Sequence, residues 1–133
     1  MSTTTTPLSL DMETIRGLLC GAFEGGSNYW YSDVSPHAYP AGFTAADYSE
    51  GGKAQPGSEY WHWCQLLPTT GGAVLVSMDD DDDSVVLDLD AIKRGLALLE
   101  KSHHWNDAKS GNEDADTDDA FLQFCCFGEI VYG

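Results

Sequence analysis

The sequence predicts an α+β fold in which about three helices pack on one mainly antiparallel sheet. Apolar residues recur at helical spacing near both ends of the chain, while aromatic and β-branched runs fill its middle. Clusters of Gly, Pro and Asp punctuate those central runs, as turns between strands require. A chain of 133 residues suits one domain, since two would each be marginal. We read residues 1–8, largely a Thr tract, as a flexible tail and 9–133 as that domain. Hydrophobic residues make up 42% of the chain, with four Trp, six Tyr and five Phe, which is enough for a core and argues against global disorder.

The first helix is expected over residues 11–23, where Met12, Ile15, Leu18, Leu19, Ala22 and Phe23 share one face and Ser9 or Asp11 caps the start. Gly25 and Gly26 end it. Residues 28–32, dense in Tyr and Trp, read as a strand. The stretch 33–57 carries three prolines and four glycines and reads as a long loop anchored by Tyr39, Phe43 and Tyr48. Residues 59–67 alternate aromatic and polar side chains and 73–78 are apolar and β-branched, which together predict a hairpin. Asp79, Asp80, Asp81, Asp82 and Asp83 cannot be buried side by side, so they form a solvent-facing turn before a strand at Val85, Val86 and Leu87. Asp90 is placed to cap a helix through Trp105, followed by a polar linker over 106–115. Asp116 then caps a third helix through Phe127, stopped by Gly128, with 129–132 as a short strand or extended tail.

Charge narrows the function classes further. Twenty-two Asp and Glu against six Lys and Arg give a formal net charge of −16, which excludes direct binding of nucleic acid through phosphates. Basic protein grooves and cations are the natural partners of such a surface, and a second copy of the chain is carried as an additional candidate. No segment reaches the roughly 18–20 apolar residues needed to span a bilayer, and a cytoplasmic location is expected. Cys20, Cys64, Cys125 and Cys126 sit within apolar segments and are expected as buried reduced thiols.

No phosphate-binding glycine loop, nucleophile elbow or zinc spacing is present, so we expect neither enzymatic activity nor a cofactor or metal. His103 and His104 lack further ligands at suitable spacing. The Asp79 run departs from a calcium loop at its sixth position, Ser84, and its twelfth, Asp90. Two candidate binding regions remain. One is acidic: Asp79 to Asp83 together with Asp114, Asp116, Asp118 and Asp119. The other is aromatic: Glu24 and Asn28 beside Trp30, with Tyr60, Trp61 and Trp63, a set suited to stacking a planar ligand such as a nucleotide.

Two segments, Phe23-Glu24-Gly25-Gly26-Ser27-Asn28-Tyr29-Trp30-Tyr31 and the stretch from Asp114 through Gln123 to Phe127-Gly128-Glu129-Ile130-Val131-Tyr132-Gly133, resemble small proteins encoded by tailed phages and proviruses. That resemblance carries no catalytic assignment. It implies counter-defence, in which small acidic phage proteins of the anti-CRISPR or anti-restriction kind occupy a host complex as DNA mimics. The charge pattern is compatible, since thirteen carboxylates fall within 79–90 and 107–119. Two alternatives stand beside it: a sponge that sequesters a nucleotide signal in the aromatic pocket, and a halophilic accessory protein whose acidity serves only hydration.

Overall fold

The computed structural model describes residues 10–55, 60–78, 83–111 and 114–132. Its α+β class and antiparallel sheet are those expected from the sequence. The described residues hold five α-helices rather than three. They are α1 (Met12–Gly21), α2 (Trp63–Thr69), α3 (Leu89–Glu100), α4 (Trp105–Ser110) and α5 (Ala115–Phe127). The strands are β1 (Tyr31–Ala38), β2 (Ala73–Met78) and β3 (Ser84–Leu87), ordered β1-β2-β3. The expected tail over 1–8 and the residues Asp79, Asp80, Asp81 and Asp82 lie outside the described residues.

Helix α1 starts where Asp11 accepts a hydrogen bond from the Thr14 amide at 2.8 Å, and it buries Ile15, Leu18 and Leu19. The chain then widens into a π-type turn, Ala22–Gly26, closed by Ser27 N–H donating to Ala22 O at 2.9 Å. In the sheet, period-2 alternation buries Val74, Val76 and Met78 of β2. Val34, Val76 and Val85 pair across the three strands, as do Pro36, Val74 and Leu87; the valines and Leu87 pack on the core, while Pro36 at the edge is exposed. Pro36 is tolerated because β1 is an edge strand.

Helix α5 is the hub of the helical layer, packed between α1 and α3. Two glycines permit the close approach. A Cβ on Gly21 would collide with the Asp118 side chain, and one on Gly95 would collide with Cys125. Phe121, Leu122 and Cys125 of α5 are fully buried and join Leu18, Leu19, Leu66, Leu67, Ile92 and Leu99 in one core.

The structure corrects several expected elements. Residues 28–30 are not strand. The extended segment begins at Tyr31 and continues through Ala38 into the region read as loop. The segment 59–67 does not form a hairpin with β2, because Trp63–Thr69 is helical. His62 caps that helix, its Nδ1 accepting from the Cys64 amide at 3.3 Å. Five consecutive residues, Gln65 to Thr69, are buried, so α2 is embedded on all sides and shows no amphipathic period. The partner of β2 is instead the distant β1.

Capping explains the remaining shifts. Helix α3 is capped by Asp88, whose Oδ1 accepts from the Ala91 amide at 2.9 Å, and Asp90 lies in its first turn. Helix α5 is capped by Asp114 rather than Asp116. The expected linker over 106–115 contains α4, which buries only Ala108 and ends at Gly111 with φ of 78°.

Candidate functional site

The turn that bears Ser27 and Trp30 meets helix α5 at a single carboxylate. Oδ1 of Asp119 accepts from Ser27 Oγ at 2.7 Å and from the Trp30 indole N–H at 2.7 Å. Oδ2 accepts from Tyr29 Oη at 2.6 Å and from Gln123 Nε2 at 3.1 Å. Gln123, one helical turn on, holds the C-terminal segment: its Oε1 accepts from the Val131 and Tyr132 amides, both at 2.8 Å, and its Nε2 donates to Tyr132 O at 3.0 Å. The Tyr132 ring stacks on Trp30 with centroids 5.5 Å apart and planes 1° from parallel. Burial and the Asp119 carboxylate push the Tyr29 phenol up to about 12.

This clasp alters both sequence-derived regions. Trp30 is 2% exposed and covered by Tyr132, so its face is not open to a planar ligand. Glu24 and Asn28 are exposed on the turn that precedes it. Tyr60 and Trp63 instead line a separate cleft, and Trp61 packs against the core. The six residues therefore do not form the single nucleotide pocket expected of them. In the acidic region, Asp118 is 8% exposed against Gly21 and Asp119 is committed to the clasp, so neither belongs to a displayed face. Asp83, Asp114 and Asp116 are exposed. A short chain of contacts links their two segments. Met78 N–H donates to Asp83 O at 3.0 Å, Met78 pairs with Tyr31, and the adjacent Trp30 bonds Asp119.

Beside the clasp runs a cleft of about 560 Å³, lined by Tyr29, His103, His104, Asp116, Gln123 and Ile130 among others. The two imidazoles lie 4.0 Å apart, and His104 Nδ1 is 3.4 Å from Thr117 Oγ1. Among the described residues, no group of three or more His, Cys, Asp or Glu side chains is arranged to hold a metal ion.

The second cleft, about 330 Å³, is lined by Pro36, Tyr39, Tyr48, Tyr60 and Trp63, with Ala45 and Ser49 between them. Its walls are braced from behind. Tyr48 is buried and its Oη lies 2.9 Å from Thr70 Oγ1. The Gln55 side chain accepts from Trp61 N at 2.9 Å and donates to Trp61 O at 2.9 Å and Tyr48 O at 2.8 Å. That clamp fixes the chain between Tyr60 and Trp63 against the loop that bears Tyr48. Tyr39 and Tyr60 remain 37% and 49% exposed. Tyr39 and Tyr48, isolated loop anchors in the sequence, share this cleft with Tyr60 and Trp63. The aromatic density of 60–63 was the available signal.

All four cysteines are free thiols, with Cys125 buried. His62 Nδ1 lies 3.1 Å from Cys64 Sγ, a spacing that would suit a nucleophile and its base. Burial, however, pushes the Cys64 thiol up to about 12, so it stays protonated at neutral pH and the pair is not activated. Burial likewise pushes Cys126 up to about 12.

No helix among the described residues is long and apolar enough to cross a membrane. No protein-family model, curated protein or solved structure matches this chain.

Proposed function

We propose that this chain is a non-catalytic binding protein whose acidic surface occupies a basic, nucleic-acid-binding surface of a host defence complex, with a CRISPR effector as the partner class. The carrying observation is uncompensated charge. Against twenty-two Asp and Glu stand six Lys and Arg, and among the described residues the single ion pair is Lys53 with Asp47 at 4.0 Å. Exposed carboxylates that are not neutralised within the chain create an extended negative potential, which is what a groove built for phosphates attracts. The resemblance of segments 23–31 and 114–133 to phage proteins points to a defence complex as the owner of that groove. The covered face of Trp30 counts against the nucleotide-sponge alternative.

The test replaces Asp83, Asp114 and Asp116 together with Asn. Asn retains the capping oxygen at position 114, so the fold should hold within about 1 kcal/mol. Association with the effector complex, followed by surface plasmon resonance, should slow by about tenfold, because rim charges act chiefly on the on-rate. Unchanged association by a variant that remains folded would remove these three residues from the binding surface.

A further inference from the structure

We propose that the cleft formed by Tyr39, Tyr48, Tyr60 and Trp63 receives an arginine side chain of the basic partner. This inference rests on the reading of the protein as one that docks on a basic surface, and it names the anchor point of that docking. Three Tyr and one Trp line a space of about 330 Å³, and among the described residues no Lys or Arg lines it. Aromatic faces carry negative quadrupolar charge and attract a cation lying over them. The net charge of −16 adds a long-range field of the same sign.

A guanidinium fits this chemistry better than an ammonium. It is planar, weakly hydrated and stacks on rings, so entering an aromatic cleft costs it less desolvation. The same loop already seats one cation in this manner, since Lys53 Nζ lies 4.8 Å from the Phe43 ring centroid. That lysine is also held by Gly42 O at 2.8 Å, which keeps it committed outside the cleft. Preorganisation favours binding as well. Tyr48 is pinned through Thr70, Trp63 lies in the first turn of α2, and the Gln55 side chain ties Trp61 to Tyr48, so these walls need little ordering. Tyr39 and Tyr60 retain exposed surface that a guest would cover.

The experiment titrates the protein with a capped Gly-Arg-Gly peptide while NMR follows the Trp63 indole N–H. A capped peptide with citrulline in place of arginine, neutral and nearly isosteric, serves as control. Saturable shifts at Trp63 are expected with arginine, and at least about tenfold weaker binding with citrulline, given the strength of cation–π contacts at partly desolvated sites. Y39A combined with Y60A should weaken the arginine peptide by a similar factor, and both side chains are exposed enough to be removed without unfolding. Equal response to citrulline overturns the inference on the parent protein alone, whatever the variant does. Equal affinity in the folded double variant overturns it too. The two readings fail separately. If the effector complex binds with steep salt dependence while Trp63 ignores arginine, the cleft assignment falls and the acidic surface stands. If Trp63 responds to arginine but the effector does not bind, the cleft stands and the choice of partner falls.

Discussion

Asp119→Ala should cost about 3–5 kcal/mol of folding stability, the largest loss expected from any single carboxylate in the protein. Four donors converge on this side chain, from Ser27, Tyr29, Trp30 and Gln123. Ser27 and Trp30 are both buried, so their donors would be left without acceptor or water. Hydrogen bonds to a charged group contribute about 1.5–3 kcal/mol each, and leaving a buried donor unmade costs about 1–3 kcal/mol more. The total falls below the sum because the four bonds share one acceptor and relax together. Asp116→Ala, on an exposed position of the same helix, is the control and should stay within about 0.5 kcal/mol of the parent. Urea unfolding followed by tryptophan fluorescence measures both. A loss below about 1 kcal/mol for Asp119→Ala would mean that the clasp does not hold the Ser27-to-Trp30 turn to α5.

Gly95→Ala and Gly17→Ala should move stability in opposite directions although both glycines lie inside helices. A Cβ on Gly95 would stand 2.8 Å from the Cys125 amide nitrogen and 2.9 Å from its Cα, besides colliding with the thiol. Backbone atoms of a buried helix cannot step aside like a side-chain tip, so α3 and α5 must separate. Overpacking of this kind costs about 1–3 kcal/mol, and contact with backbone places it at the upper end. The gain in helix propensity of about 1 kcal/mol offsets part of that, leaving a net loss of about 2 kcal/mol. Among the described residues nothing stands within 4 Å of a Cβ on Gly17, so there the propensity gain of up to about 1 kcal/mol is expected undiminished. Thermal unfolding of the two variants decides the matter. A neutral or stabilising Gly95→Ala would contradict the close packing of α3 on α5.

These effects turn on contacts that periodicity does not reveal. The helices whose apolar residues recur at i, i+3 and i+4, α1, α3 and α5, were legible, as were β2 and β3 with their β-branched residues. Helix α2 was not, because Gln65 to Thr69 are all buried and an embedded helix has no polar face. Its aromatic lead, Tyr60-Trp61-His62-Trp63, alternates like a strand while serving as the entry to a helix. Helix α4, with six residues and one buried side chain, offered no pattern to read. The acidic character of the surface was legible from composition. Asp118 and Asp119 were misassigned to it, since their sequence neighbours resemble those of any exposed helix start, and only Gly21 and the Ser27-to-Trp30 turn draw them inward. The clasp joins residues about ninety positions apart, beyond any local signal. The aromatic cleft was half visible, through Tyr60 and Trp63, and its other wall lay in a stretch whose prolines and glycines read as loop.

We propose that uncompensated carboxylates place this protein on a surface built for nucleic acid. It is tested most directly by measuring the dissociation constant for the effector complex as salt rises from about 0.05 to 0.3 M, with and without target DNA. Affinity is expected to fall by at least about tenfold across that range, with mutually exclusive binding of the protein and the DNA. A dissociation constant that stays flat with salt, or a ternary complex that holds both at once, would contradict it.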